Sequence, residues 1–185
     1  MNAHLKLTPA GANLIKHFEG LKEKRGEKYC AYKCPAGVWT IGWGTTTEHG
    51  NKINPDTVWS LAQCNSAFLK DMEKFEADVR RLVTVPLEPW QFDALVSFTY
   101  NVGAGNLAKS TLLKRVNAKD PKAHEEFIRW NKANGKVLAG LTRRRKSEAL
   151  LYQNITDENY DGVADKPHAE DHPMPQAVDS PEDEA

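Results

Sequence analysis

The chain has 185 residues, 40% of them hydrophobic and 27% charged, which is the usual composition of a globular domain. This length suits one domain, or two small lobes that share a core. No apolar run approaches the roughly 20 residues that a membrane span needs, which excludes an integral membrane protein.

Three cysteines, Cys30, Cys34 and Cys64, are too few for a disulfide framework and lack the spacing of a structural zinc site. An oxidising space would still allow a disulfide between two of them, in a pairing that the sequence does not give. We expect no metal and no organic cofactor. The first eleven residues lack the apolar segment of a signal peptide, so we expect the chain to stay in the compartment that makes it.

A net charge of zero conceals a division along the chain. Residues 154–185 contain ten acidic residues and one lysine, which leaves 24 basic and 15 acidic residues in residues 1–153. A basic body suits an anionic partner such as cell wall, nucleic acid or a membrane surface. The tail is rich in proline and acid, so we expect residues 154–185 to be a disordered appendage that solubilises the protein or screens its basic body.

The first half of the chain predicts a helix followed by short strands. Thr8 and Pro9 are typical of an N-cap and a first helical position, and Glu19-Gly20 indicates the end of that helix. Residues 20–28 are charged and predict a loop. The alternating segments 29–34 and 37–44 predict strands of one small antiparallel sheet.

The second half predicts helices. Asn54-Pro55 is typical of the start of a long helix that would end near Val83. Further helices are expected in four segments, 88–102, 111–116, 121–130 and 141–153. A small sheet near the start and a helical remainder indicate an α+β domain over residues 1–153.

Glu19 combines two features of a general acid. It lies four residues after Ile15, beside the apolar face of the helix, and it ends that helix near the negative end of the dipole. Both features favour the neutral carboxylic acid. The plainer interpretation is a solvated glutamate at a helix end.

The strand pattern leaves Thr40 on a face with Val38 and Gly42, where a ligand or a water has room. Cys34 precedes a proline and is therefore extended. A free cysteine is most often a small buried hydrophobe. In a cleft its thiol could instead hold a water.

Several segments, in this order, resemble the phage-type lysozymes of glycoside hydrolase family 24. They are FEG (18–20), AYKCPAGVWTIGWGTT (31–46), SFTYNVG (97–103), STLLKRVN (110–117) and GLTRRRKSEALLY (140–152). The similarity covers roughly residues 7–153. It implies a lysozyme-like α+β fold, with a small antiparallel β-sheet lobe, a larger helical lobe and an active-site cleft between them.

The resemblance also implies roles for single residues. Glu19 matches the catalytic glutamate and Thr40 matches the catalytic threonine. Cys34 stands where most of the family has an aspartate, and in this respect the chain resembles the branch of the family that has a cysteine there. Tyr100 and Asn101 match the cleft-lining helix and are expected to bind sugar. A further expected binding residue, Arg144, matches an arginine near the catalytic glutamate.

Two departures from the family pattern are visible. The stretch between Glu19 and Cys34 is longer than in relatives, so residues 22–27 resemble an inserted loop. Thr45 stands where the family often has a histidine, whose role is therefore not transferred.

The implied function is that of a muramidase, an endolysin that hydrolyses the β-1,4 bond between N-acetylmuramic acid and N-acetylglucosamine in peptidoglycan during phage-mediated lysis. Glu19 would be the general acid, and Cys34 with Thr40 would position a water, with inversion at the anomeric carbon. We expect a monomer without nucleic acid. It would wait in the host cytoplasm until a holin or another permeabilising factor admits it to the wall.

Three alternatives remain at this point. A lytic transglycosylase would use one acid and no positioned water. A catalytically inactive peptidoglycan-binding module would explain the cysteine as a mark of lost activity. A helical nucleic-acid-binding protein would use the basic segment 143–146.

Overall fold

Helices form most of the computed structural model, which describes residues 2–34, 37–47, 52–155 and 178–181. The α-helices are α1 (Pro9–Glu19), α2 (Leu61–Leu82), α3 (Pro89–Val102), α4 (Ala104–Lys109), α5 (Thr111–Asn117) and α6 (Ala139–Tyr152). A 3-10 helix, Ala123–Arg129, lies between α5 and α6. Within these described ranges no helix is long and apolar enough to cross a membrane.

The strands are short and pair antiparallel. One sheet has the order β1 (Lys24–Arg25), β2 (Lys28–Cys30), β6 (Val58–Ser60), and a second has the order β3 (Tyr32–Lys33), β4 (Trp39–Ile41), β5 (Thr45–Thr46). A separate hairpin joins β7 (Lys132–Ala133) to β8 (Lys136–Val137). The expected α+β class, with a small strand lobe and a larger helical lobe, is confirmed.

Helix α3 is the centre of the helical lobe. Its buried residues lie on every side of the helix, and it packs against α1, α2 and α6. Phe98 meets Phe127 and Trp130 edge to face, with ring centroids 5.4 Å apart in both pairs. Burial of one such ring stabilises the fold by about 1.5–3 kcal/mol, so α3 provides a rigid base for the elements around it.

Helix α1 is fixed to α3 at its first turn. The backbone N–H of Thr8 donates to Asp93 Oδ1 at 2.9 Å, and the Thr8 hydroxyl donates to Asp93 Oδ2. Gly11 packs directly on the Asp93 side chain, where an added Cβ would overlap it. The predicted N-cap at Thr8 is confirmed, and so is the end at Glu19, where Gly20 follows with φ +64°.

The structure corrects several sequence predictions. Residues expected as one charged loop form the hairpin β1–β2, whose second strand, β2, also pairs with β6. The long helix begins at Leu61 instead of near Asn54, because Ser60 and Gln63 form a capping box. Asn54 instead closes a turn by accepting from the backbone N–H of Asp56 at 2.9 Å.

Further differences concern the later segments. The sequence 121–130 forms a 3-10 helix instead of an α-helix, and the helix α4 and the hairpin β7–β8 were not predicted. Most of the acidic tail lies outside the described residues. The part that is described, residues 178–181, contacts the hairpin β7–β8: the backbone N–H of Asp179 donates to Lys132 O at 2.9 Å.

Candidate active site

Glu19 ends α1 at the junction of the helical and strand lobes. Its side chain is 17% exposed, and its Oε1 accepts a hydrogen bond from Arg144 Nη1 at 2.6 Å. Arg144 lies on α6, 125 positions away in the chain. The carboxylate is therefore held by a partner from another helix while part of it still faces solvent, which is the geometry that a reacting group requires.

Behind Glu19 lies a fully buried charged cluster. Arg144, Arg145 and Glu148, all on α6, have side chains with no solvent exposure. Glu148 meets Arg144 Nε at 3.1 Å and Arg145 Nε at 2.9 Å, and it accepts from the Ser97 hydroxyl at 2.7 Å. Arg145 also donates to Asn101 Oδ1 at 2.9 Å. One glutamate therefore balances two guanidinium groups inside the protein.

The cluster separates the pKa values of the two arginines. Burial alone would lower the pKa of Arg144, but attraction by Glu19 and Glu148 outweighs it and raises that pKa. For Arg145 burial dominates and lowers the pKa to about 10, although Glu148 opposes it. Both arginines are therefore cations at neutral pH; Arg144 contacts Glu19 directly, and Arg145 contacts Glu148 behind it.

Gly44 lies beside the second oxygen of Glu19 and against the Tyr100 hydroxyl. It has φ +97°, and a Cβ added there would lie 3.9 Å from Glu19 Oε2 and would overlap the Tyr100 hydroxyl. That hydroxyl donates to Trp43 O at 2.8 Å, and the Tyr100 ring packs edge to face on Phe75 at 5.1 Å. Burial and the nearby Glu19 raise the Tyr100 pKa well above its usual value. Tyr100 thus fixes the strand-lobe backbone next to Glu19.

Cys34 and Thr40 meet at one backbone carbonyl. The Cys34 N–H donates to Val38 O at 3.0 Å, and the Thr40 hydroxyl donates to the same oxygen at 3.1 Å. Both side chains are buried, with 8% and 2% of their surface exposed. The expectation that Thr40 lies on an open face is wrong, because Thr40 is almost fully buried and its cross-strand neighbours Tyr32 and Thr46 lie directly opposite it on either side.

Lys22 and Tyr32 link Glu19 to Cys34, and the sequence analysis missed both. The Lys22 ammonium lies 5.1 Å from the centroid of the Tyr32 ring. Burial lowers the Lys22 pKa, while Glu19 and Cys34 oppose that shift; burial, Glu19 and Cys34 all raise the pKa of Tyr32. The pKa of each of these two residues is therefore shifted by both Glu19 and Cys34, so both residues lie within range of electrostatic interaction with Glu19 and with Cys34.

Thr45 and Asp71 form a second missed contact. The buried Thr45 hydroxyl donates to Asp71 Oδ2 at 2.6 Å, which ties β5 to α2. Asp71 also contributes to the raised pKa of Tyr100, after the larger effect of burial. A threonine followed by a carboxylate 26 residues later carries no local pattern, so only the fold brings this pair together.

Three residues that were predicted to bind sugar are buried or already hydrogen-bonded to other residues. Arg144 has no exposed surface, Asn101 is engaged by Arg145, and the Tyr100 hydroxyl is engaged by Trp43. These contacts favour a positioning role over direct contact with sugar. Burial of Arg144 and Arg145 also removes the basis for a nucleic-acid surface on segment 143–146.

The three cysteines are free thiols in this structure. Across the described ranges, no cluster of three or more histidine, cysteine, aspartate or glutamate side chains is arranged to hold a metal ion.

Comparison with solved structures identifies the class. An endolysin from Escherichia coli O157:H7 phage FAHEc1 superposes with a TM-score of 0.73 and 35% identity, over 84% of this chain and 99% of that one. The fold, with Glu19 at the lobe junction, is that of a lysozyme-like glycoside hydrolase.

The family follows from the sequence. The phage lysozyme family model matches residues 16–148, so the chain belongs to the phage lysozyme family. An endolysin of Bacillus phage B103 is 40% identical over 166 residues, which are 88% of this chain but only 60% of that protein. An endolysin of Acyrthosiphon pisum secondary endosymbiont phage 1 is 36% identical over 81% of this chain and 99% of its own length. The chain thus spans about 60% of the Bacillus phage relative.

Proposed function

We propose that the chain is an endolysin-type muramidase, which hydrolyses the β-1,4 bond between N-acetylmuramic acid and N-acetylglucosamine in bacterial peptidoglycan and serves phage-mediated host lysis. The family membership and the relatives named endolysin support this class of reaction. The observation that carries the proposal is the orientation of Glu19, with one oxygen held by a buried cation and the other beside a glycine.

The Arg144 contact supports an assignment of the proton to one of the two oxygens of Glu19. A guanidinium group only donates hydrogen bonds, and the carbonyl oxygen of a carboxylic acid accepts them better than its hydroxyl oxygen, so we assign Oε1, which accepts from Arg144, as the unprotonated oxygen. We therefore assign the acidic proton to Oε2, on the side that faces Gly44, a position without a side chain of its own. Glu19 can then deliver that proton to the departing sugar oxygen, which is a poor leaving group without it.

We assign the second half of the reaction to Cys34 and Thr40. Bond cleavage leaves an oxocarbenium-like carbon that needs a water on the face opposite the acid, which gives inversion. A thiol and a hydroxyl both donate and accept hydrogen bonds, so the pair can orient a water while remaining neutral. Their common tie to Val38 O holds the two backbone segments in one place and supports this assignment.

Three residues complete the proposed site. Arg144 orients Glu19, Asn101 holds Arg145 behind it, and Tyr100 fixes the strand-lobe backbone at Trp43. Substrate contact by Tyr100, Asn101 and Arg144 remains a prediction, and their present hydrogen bonds favour positioning. Pre-set contacts of this kind contribute to catalysis because the site needs no reorganisation when charge develops.

The proposed partners follow from the substrate. Residues 1–153 carry a balance of nine positive charges, which favours binding to anionic wall polymers. We propose that a monomer acts at the cell wall, after a holin or another permeabilising factor has opened the path from the host cytoplasm.

Mass spectrometry of muropeptides released from purified peptidoglycan tests the bond and the acid together. We expect the wild type to release hydrated muropeptides, Glu19→Gln to lose at least about 10²–10⁴-fold in rate, and Cys34→Ser to retain measurable activity. The matched control is Glu27→Gln, which alters an exposed glutamate of the β1–β2 turn.

Other products would contradict specific parts of the proposal. Anhydro-muropeptides would identify a lytic transglycosylase, and binding without any product would identify a peptidoglycan-binding module. Equal and complete loss in Glu19→Gln and Cys34→Ser would contradict the division of labour between a proton donor and a water-positioning thiol.

A further inference from the structure

The hairpin β7–β8 carries a contact that the proposed reaction does not use. The carboxylate of Asp179 accepts from the backbone N–H of Asn134 at 3.2 Å and from that of Gly135 at 2.7 Å. The Asp179 N–H donates to Lys132 O at 2.9 Å, which extends the pairing of β7. Three hydrogen bonds thus join the C-terminal segment to a hairpin more than forty residues earlier.

The turn of this hairpin is shaped to receive a carboxylate. Asn134 and Gly135 have φ values of +51° and +71°, as in the tight two-residue turns that Asn-Gly favours. Each donates its N–H to a different oxygen of the same carboxylate. Hydrogen bonds to an ionised acceptor are stronger than those between neutral groups, so the turn selects an acidic residue.

An apolar contact accompanies the carboxylate. Val178 is only 6% exposed and joins the main hydrophobic core, and the neighbouring Ala133 is 3% exposed. The segment thus presents an apolar residue to the body and the next residue to the turn, as an extended peptide does when it adds to a strand. This combination specifies a sequence, whereas charge attraction alone would accept any acidic stretch.

The hairpin leads directly into the helix that carries Arg144. Strand β8 ends at Val137, and α6 begins two residues later at Ala139. At 1.5 Å per residue, Arg144 is only about 7.5 Å further along α6. Arg144 Nη1 is 2.6 Å from Glu19 Oε1, so the hairpin that holds the docked segment is continuous in the chain with the helix that contacts the proposed acid.

We propose that the hairpin β7–β8 is a docking surface for an acidic extended peptide, that the chain's own residues 178–181 occupy it, and that docking limits the access of anionic wall polymer to the site. Residues 154–185 carry ten acidic residues and one lysine, and three of the acids follow Pro181 directly. The anchor at Asp179 thus belongs to an acidic segment of sequence that is opposite in charge to residues 1–153. The limit on access rests on the proposed function, whereas the docking itself does not.

The test compares two alanine variants of the full chain. Asp179→Ala removes the docking carboxylate, and the control Asp171→Ala removes the same charge from another position in the tail. Amide hydrogen exchange reports docking: we expect the Asn134 and Gly135 amides to exchange at least about tenfold faster in Asp179→Ala, and unchanged in Asp171→Ala. Protection should not depend on protein concentration, because the segment docks on its own chain.

The same three proteins are then compared for muropeptide release at low ionic strength. We expect Asp179→Ala to release muropeptides several-fold faster than the wild type and Asp171→Ala to release them at the wild-type rate. The three rates should converge near 1 M salt, where the screening length is about 3 Å.

Equal amide exchange in all three proteins would overturn the docking whatever their activity. Faster exchange with unchanged rates would overturn the limit on access, and concentration-dependent protection would show docking between copies. A wild type without activity would refute the proposed function, while the exchange data would still decide the docking.

Discussion

Substitution of Glu148 by glutamine tests the buried charge cluster. The side chain of Glu148 has no exposure and contacts both Arg144 and Arg145, so the change leaves two buried guanidinium groups with one carboxylate fewer. Removal of one partner from a buried ion pair typically costs about 3–5 kcal/mol. Against a total stability of about 5–15 kcal/mol, this is a large fraction of the free energy of unfolding.

Urea and thermal unfolding measure that loss. For a chain of this size, 1 kcal/mol shifts the melting temperature by about 2–4 °C, so we expect a decrease of about 6–20 °C. The matched control is Glu125→Gln, whose carboxylate is 54% exposed and lies 3.8 Å from Arg115. An exposed pair contributes about 0–1 kcal/mol, so the control should unfold close to the wild type.

A double variant separates the charge from the packing. Arg145→Met removes one of the two cations, so Arg145→Met combined with Glu148→Gln should be less destabilised than the sum of the single variants, by about 0.5–3 kcal/mol. If Glu148→Gln cost no more than Glu125→Gln, or if the two changes were strictly additive, the buried cluster would not act as a charge-balanced unit.

Two further predictions concern the elements around Glu19. Gly44→Ala should destabilise by about 1–3 kcal/mol through strain at φ +97° and should lower activity by displacing the Tyr100 hydroxyl, whereas Gly105→Ala, in open space on α4, should stabilise by about 0.5–1 kcal/mol in the same unfolding assay. A neutral or stabilising Gly44→Ala would refute this steric explanation. Burial raises the pKa of Asp93 above 3.8 despite hydrogen bonds from Thr8 and Gly11, so the native state binds more protons than the unfolded state just above that pH. Its contribution to stability should therefore fall as pH rises from about 4, and Asp93→Asn should remove this slope; an unchanged slope would contradict it.

Local signals in the sequence were sufficient to predict where several helices begin and end. The cap at Thr8, the stop at Gly20 and the start of α5 after Ser110 each depend on residues within one turn of the helix, which is why their positions could be predicted. The Asn134-Gly135 pair is an equally local hairpin signal, and the sequence analysis overlooked it.

Other features depend on partners far away in the chain. By local pattern alone, segment 143–146 indicates a basic surface, because one neutralising partner of Arg144 is Glu19, 125 positions earlier, and because the burial of this segment depends on α3. The covering of Thr40 likewise results from strand pairing, and the contact between Thr45 and Asp71 from the packing of β5 on α2. Local pattern carries no information about such contacts.

The configuration of the first-formed reducing end tests the central proposal most directly, that one acid and one positioned water act on opposite faces of the sugar. Proton NMR of a soluble peptidoglycan oligomer during the first minutes of cleavage distinguishes the two anomers before mutarotation mixes them. We expect the α-anomer to form first, as a single displacement by water on a β-linkage requires. Initial formation of the β-anomer would mean two displacements and a covalent intermediate, which the assignment of Cys34 and Thr40 to a water does not allow.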